Sequence, residues 1–285
     1  MSAPAERIVW VNGELRPESN AGISPFDHGL LTGDGVFETL TTYGGVPFGW
    51  TRHVDRLRRS AEALGLPMPD AAALRQAVTA TMEANGLPDA RVRITLTGGP
   101  APLGSARGDV EPTVLVVVTA PHTFDPTVDV VTVPWPRNQR GALAGLKTIS
   151  YAENVRALAY AQERSAGEAI FTDLDGHLCE GTGTNVFFVS GGRLCTPALS
   201  TGCLDGVTRQ IVVEVICPQI GIECAEVVVP AAALAAAEEA FVTSSTREAQ
   251  PVATVDGTVL PAAPGPITTA VIEAFPKVVA DDLDP

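Results

Sequence analysis

Four groups of residues have types and spacings that could do chemistry. Lys147, in GALAGLKTISYAENVRAL, is one of two lysines against seventeen arginines. Generic cationic work has gone to arginine, so this lysine suits a task that needs an amine able to lose its proton, as nucleophile or base. In CEGTGTNVFFV, Glu180 ends a strand-like run beside Gly181 and Gly183, which puts a carboxylate where backbone can approach a flat ligand. In LSTGCLDGVTRQIVVEV, Gly206, Val207 and Thr208 open a helix, and such a start presents N–H groups and a hydroxyl to an anion. In FVTSSTREAQPV, Thr243, Ser244, Ser245 and Thr246 offer four hydroxyls in a row, a second wall for a phosphate. Each pattern taken alone also has a plain reading: an exposed lysine, a solvated turn acid, an unliganded helix start, a polar loop.

The elements that must position these residues follow from hydrophobic period and turn residues. RIVWVNGEL reads as a strand entering a tight Asn12-Gly13 hairpin, and GVFETLTTYGGVPFGW repeats the pattern at Gly44-Gly45. Val54, Leu57, Ala61 and Leu64 recur at helical spacing until Gly65 and Pro67 stop them, and AALRQAVTATMEANGL is a second amphipathic helix. With the β-rich runs ARVRITLTGG and PTVLVVVTA, residues 1–120 are expected to form a small α+β domain, helices on an antiparallel sheet. The proline-rich stretch 121–136 is expected to be the interdomain linker. Residues 137–285 are expected to form a larger domain carrying Lys147. There SYAENVRALAYAQERSAG and TRQIVVEVICPQIG read as helices, residues 168–197 as two strand pairs with Asp175-Gly176 and Gly191-Gly192 turns, and the alanine-rich 231–240 as helix.

Composition narrows the function classes. A net charge of -14 argues against nucleic acid or an anionic membrane as the main partner. The N-terminal stretch MSAPAERIVWVNGEL lacks the features of a signal peptide, and no window is apolar enough to span a bilayer, so a cytoplasmic protein is expected. Five cysteines without C-x-x-C spacing suggest neither a disulfide framework nor a zinc site. The four histidines share no spacing, and no metal site is expected.

Order and spacing make the weak signals specific. A lysine before a helix, a glutamate in E-G-x-G-x-N, a G-[IV]-T-R helix start and a Ser/Thr turn, in that sequence, resemble the fold-type IV pyridoxal-phosphate enzymes, the class IV aminotransferase family. SPFDHGLLTGDGVFETL and RHVDRLRRSAEAL resemble that family's opening strands and first helix. The resemblance implies a two-domain α+β fold, with a small sandwich-like N-terminal domain and a larger pseudo-barrel C-terminal domain, and pyridoxal 5'-phosphate as cofactor. It makes Lys147 the Schiff-base lysine and Glu180 the partner of the pyridine nitrogen. Arg56 becomes a bidentate phosphate fork, with Val207, Thr208, Ser244 and Ser245 completing the cradle. Tyr151 would sit near the phenolic oxygen, although the branched-chain pattern places its tyrosine one residue later. It also implies a homodimer acting on a small amine or amino acid.

Within the family, Thr39 in GDGVFETL stands where branched-chain enzymes tend to carry glycine, and RNQRGALAGLKT resembles the approach of 4-amino-4-deoxychorismate lyase to its lysine. The expectation is therefore the lyase, with Thr39 assisting proton transfer; the alternative is a transaminase for D-amino acids, branched-chain L-amino acids or (R)-amines. Arg91 and Arg93 alternate with Val92 and Ile94 and so share a strand face, where two cations suit substrate carboxylates. Arg107, in the loop where D-amino-acid transaminases place an R-x-H carboxylate trap, and Arg247, after the hydroxyl turn, are further candidates.

Overall fold

The computed structural model describes residues 6–109 and 111–285; the first residues of the stretch read for a signal, and Val110, lie outside it. The chain forms two units, one comprising residues up to His122 together with Leu146–Tyr151 and Asp284, the other comprising Thr123–Gly145 and Ala152–Leu283 with Pro285. Among the described residues no helix is long and apolar enough to cross a membrane.

The first unit is built on hairpins whose turns the sequence dictates. Strands β1 (Ile8–Val11) and β2 (Glu14–Pro17) meet at Asn12-Gly13, both at positive φ (47° and 98°), the conformation that matches strand twist in a two-residue turn. After the short helix α1 (His28–Thr32) come β3 (Gly35–Tyr43) and β4 (Val46–Pro47), paired across Gly44-Gly45. Helices α2 (Trp50–Ala63) and α3 (Ala71–Ala84) follow, then β5 (Arg91–Thr97) and β6 (Thr113–Thr119). The antiparallel sheet has the order β2-β1-β6-β5-β3-β4. Its helix-facing residues Val36, Leu40, Val92, Ile94 and Val116 pack with Val54, Leu57, Leu74 and Val78. Full burial of each such side chain contributes roughly 1.5–3 kcal/mol.

The second unit carries a nine-stranded sheet. In chain order its elements are β7 (Val128–Thr132), α4 (Ala152–Gln162), β8 (Glu168–Thr172), β9 (Leu178–Gly181), β10 (Asn185–Ser190) and β11 (Arg193–Pro197). Then come α5 (Val207–Ile211), a π-helical turn (Val212–Ile216), α6 (Cys217–Ile220), β12 (Cys224–Val227), α7 (Ala232–Ala235), β13 (Glu239–Ser244), β14 (Glu248–Val255), β15 (Thr258–Val259) and α8 (Pro266–Asp281). The strand order is β12-β11-β10-β13-β14-β7-β8-β9, with β15 on β14.

Three boundaries differ from expectation. The proposed linker 121–136 contains β7, which pairs in parallel with both β8 and β14. Its three valines, Val128, Val130 and Val131, are buried in a central strand, and the prolines only bracket it. Lys147 does not belong to the body of the larger domain, because residues 146–151 pack with the first unit. The alanine-rich stretch is helical only over Ala232–Ala235; from Glu239 onward pairing with β10 and β14 overrides alanine's helix propensity.

Candidate active site

In the first unit Lys147 is fixed by strand pairing. Over Gly35–Phe37, β3 has β5 on one side. On its other side the Phe37 N–H donates to the Lys147 carbonyl (3.0 Å) and the Ile149 N–H to the Gly35 carbonyl (2.9 Å). The Lys147 N–H donates to Ser60 Oγ of α2 (3.2 Å). With its backbone held from both sides, the lysine places Nζ 4.5 Å from the centre of the Phe37 ring. Arg93 lays its guanidinium 3.7 Å from the same ring, and Tyr151 meets it edge-on at 5.1 Å. Such ring contacts orient cations.

Alternation along β3 divides the chemistry. Phe37 and Thr39 lie on one face, and Thr39 is the direct cross-strand partner of Arg93. Arg91 is exposed on that face beside them, opposite Thr41. Glu38 points the other way, into the helix layer, where it is buried. Arg56 forks onto it through Nε (2.8 Å) and Nη2 (2.7 Å), and His53 Nδ1 lies 2.7 Å from its second oxygen. Burial alone would raise the Glu38 carboxyl, but Arg56 and His53 outweigh it and hold the group well below the usual carboxylate range. Burial in turn lowers His53, against the pull of Glu38. The bidentate fork expected to meet a phosphate is thus made to a carboxylate.

Arg107 also differs from expectation. Its Nε and Nη2 both lie 2.5 Å from Asp34, and Nη1 donates to the Gly65 carbonyl (3.2 Å). Asp34, which also contacts His28, is held below its usual range chiefly by the hydrogen bond from Arg107. The pair braces its loop against β3 and the end of α2.

In the second unit Glu180 is the penultimate residue of β9 and is buried. One of its oxygens accepts from the Leu204 N–H (2.9 Å), and the other lies 3.3 Å from Arg137 Nε. The Arg137 guanidinium stacks 4.3 Å from the Phe171 ring, and its buried Nε and Nη2 have no hydrogen-bond partner. The loop after Glu180 is tied down by a second buried acid, Glu168, which accepts from the Thr182 N–H (3.0 Å), the Thr182 hydroxyl (2.5 Å) and the Thr184 hydroxyl (3.2 Å). Asn154 donates to the Thr182 carbonyl.

The α5 start at Gly206 has no side-chain cap, so its first-turn N–H groups, those of Val207 and Thr208 among them, have no partner from that residue. Only glycine fits at this position, because a β-carbon would run into the Asn185 amide oxygen, whose own NH2 donates to Leu204 (2.8 Å). At the hydroxyl turn, Ser244 Oγ accepts from the Arg247 N–H (3.2 Å), and Ser245 is partly buried beside it. The buried Thr243 hydroxyl has no hydrogen-bond partner. Arg247 stacks 4.5 Å from Phe124 and donates to Gln250 (2.5 Å), with Glu168 at 3.9 Å, so its groups are already engaged.

Sequence reasoning missed Phe37, Glu38, His53 and Arg137. Alternation about Thr39 signalled Phe37, and the helical spacing of His53, Arg56 and Ser60 marked one face of α2. For Arg137 the only local sign was its place in RNQRG ahead of Lys147.

The first unit thus holds an amine over an aromatic ring, and the second holds a buried carboxylate with a cationic neighbour and a helix start without a side-chain cap. The model for the amino-transferase class IV family matches residues 35–255, and the chain belongs to that family. It is an enzyme of the class, and membership carries the family's cofactor, pyridoxal 5'-phosphate. The chain is 34% identical over 257 residues to a putative branched-chain-amino-acid aminotransferase of Methanocaldococcus jannaschii, covering 88% of this chain and 89% of the relative. It is also 34% identical over 250 residues to the aminodeoxychorismate lyase of Bacillus subtilis, covering 86% and 85%. With the D-alanine aminotransferase of Bacillus licheniformis it shares 31% over 280 residues, covering 94% and 95%. A crystal structure of a branched-chain aminotransferase from Thermoproteus uzoniensis with norvaline superposes with a TM-score of 0.90 at 29% identity, covering 97% of this chain and 96% of that one.

Proposed function

We propose that the chain is a pyridoxal-phosphate lyase that converts 4-amino-4-deoxychorismate to p-aminobenzoate and pyruvate, in the cytoplasm, for folate or a related pathway. The observation that carries this reading is the Thr39–Arg93 cross-strand pair on the β3 face that also holds Phe37, the ring beneath the Lys147 amine. A hydroxyl and a guanidinium there suit a substrate that must gain a proton on its departing enolpyruvate and that carries two carboxylates. Arg91 on the same face adds a second cation.

When bound, pyridoxal phosphate supplies an electron sink for a carbanion at the substrate α-carbon. The chain's own residues do the rest. Lys147 would hold the cofactor through its amine and, when freed, would serve as the general base for the substrate α-proton. Glu180, with Arg137 beside it, would partner the ring nitrogen. The Val207 and Thr208 N–H groups, the Thr208 hydroxyl, Ser244 and Ser245 would hold the phosphate, the role also assigned to Arg56. Tyr151, edge-on to Phe37, would serve the cofactor's phenolic oxygen. The five unpaired cysteines suit a reducing compartment.

A homodimer is part of the proposal. Ile23, Phe26, Leu30, Leu31 and Leu103 are exposed large apolar side chains on or near α1, with Leu30 69% and Leu103 75% accessible, the kind of patch a second copy covers. Sedimentation that gives a monomer retaining full activity would refute it.

The second reading is a transaminase, favoured by the aminotransferase relatives at equal or similar identity. One experiment separates the two. Holoenzyme given 4-amino-4-deoxychorismate is followed for p-aminobenzoate and pyruvate; parallel samples receive D-alanine, L-leucine or (R)-1-phenylethylamine without a keto acid. Multiple turnovers to p-aminobenzoate support the lyase. Stoichiometric conversion of the cofactor to its pyridoxamine form by one amine, with no p-aminobenzoate, makes the enzyme a transaminase and names its handedness.

A further inference from the structure

Away from these residues, the second unit has a cavity of about 480 Å³ lined by Arg193, Cys217, Glu223 and Cys224. Cys217 opens α6 directly after the π-helical turn, and Cys224 opens β12. Gly221, at φ 70°, ends the helix and turns the chain back, and the Ile222 N–H closes the turn on the Cys217 carbonyl (2.9 Å). This returns the second cysteine toward the first, and both line the same cavity.

We propose that Cys217 and Cys224 form an oxidation site, a dithiol that a peroxide converts to a reversible intrachain disulfide. In the first step one thiol sulfur attacks a peroxide oxygen; the O–O bond breaks, the sulfur becomes a sulfenic acid and water leaves. The second sulfur then displaces the sulfenic oxygen, which departs as water with the second thiol proton. Two thiol sulfurs are oxidised by one electron each, and the peroxide is reduced.

Access and proton sharing distinguish this pair. The cavity opens to solvent, and Cys224 is the half-exposed member, with Cys217 behind it. The neighbouring Cys224 thiol lowers that of Cys217, and Cys217 in turn raises that of Cys224. Burial pushes Cys203 up to about 11 and Cys179 higher still, so these two stay thiols and serve as internal controls. The pair is also connected to the helix start that the functional reading assigns to the phosphate. Cys224 shares β12 with Glu226, whose carboxylate lies 3.0 Å from Arg209, the residue after Thr208. A disulfide that pulls on β12 would reach that helix start through this ion pair, an effect that rests on the functional reading, whereas the disulfide itself does not.

The test is to treat reduced holoenzyme with hydrogen peroxide, alkylate the remaining thiols, digest and map peptides without reductant. The expected result is loss of the two thiol hydrogens, a Cys217–Cys224 cross-linked peptide that dithiothreitol reverses, and full alkylation of Cys179 and Cys203. Cys217→Ser should abolish the cross-link and leave Cys224 singly oxidised. A Cys179–Cys203 cross-link, oxidation confined to sulfinic acid, or disulfides only between chains would each overturn the proposal. Pyridoxal-phosphate affinity, titrated on reduced and oxidised protein with Cys217→Ser as control, reads the coupling: a change in wild type alone supports it, and equal affinities remove the coupling while the peptide map still judges the disulfide.

Discussion

The two units solve the problem of buried charge in opposite ways. In the first, the charges near Lys147 are matched internally: Glu38 takes the Arg56 fork and His53, and Asp34 takes the Arg107 fork. In the second, polar groups are left short. Arg137 keeps two buried N–H groups without acceptors, the α5 start has no side-chain cap, and the Thr243 hydroxyl has no partner. Buried donors without acceptors are costly unless something else supplies one. The first unit therefore positions an amine among forked ion pairs, while the second keeps the unpartnered donors that the proposed function assigns to the cofactor. The difference separates residues that hold structure from residues that wait for a ligand, even when all are buried and ionic.

The comparison breaks most visibly at Lys147. Lys147→Ala is expected to lose the cofactor's visible absorption band and to lower turnover by roughly 10²–10⁴-fold, the weight of a positioned general base, with little change in melting temperature. A retained band would remove Lys147 from the site.

Glu38→Ala tests the self-sufficient side. It strands Arg56 in the core and should destabilise the protein by about 3–5 kcal/mol in urea unfolding. The double variant Glu38→Leu with Arg56→Met should recover most of that stability, because a buried pair replaced by apolar groups leaves no charge unpaired. It should still bind pyridoxal phosphate more weakly than wild type. Unchanged affinity would show that Arg56 serves Glu38 alone.

Arg137→Met tests the side built for a ligand. Because Arg137 Nε lies 3.3 Å from the buried Glu180 carboxylate, its loss should cost about 1–3 kcal/mol of stability, while cofactor affinity falls about 10-fold or more, the weight of a charge-assisted contact. A large loss of stability with unchanged affinity would move Arg137 to the structural class.

The smallest effect is a pH dependence. The folded-state pKa of His53 is lowered, so as pH falls below about 6.5 the unfolded chain takes up a proton that the folded chain resists. Stability should therefore fall with acidification through that range. Glu38, whose folded pKa is depressed, adds a further loss as pH drops through and below the ordinary carboxylate range. A His53→Gln series in urea should lose the first slope and keep the second.

Much of the fold was legible locally. The Asn12-Gly13 and Gly44-Gly45 turns, the α2 stripe of Val54, Leu57 and Ala61, and the paired strands of 168–197 depend on neighbours in sequence, and they stand as read. Elements that depend on distant partners were not legible. β7 is short and bracketed by prolines, and only its parallel neighbours make it a central strand. The same holds for ion pairs: Arg56 finds Glu38, and Arg107 finds Asp34, across 18 and 73 residues of chain.

The sequence by itself determined which residues are available for chemistry. A scarce lysine, an acid between glycines, a helix start and a run of hydroxyls stand in an order that specifies the class of enzyme, because residue type and spacing are properties of the chain. Only the tertiary structure decided how each is used. It set the lysine on the open edge of β3, committed the Arg56 fork to Glu38 and placed Arg137 beside Glu180. Burial and partner choice are settled by residues far apart in the chain, and they determine whether a charge braces the fold or meets a ligand.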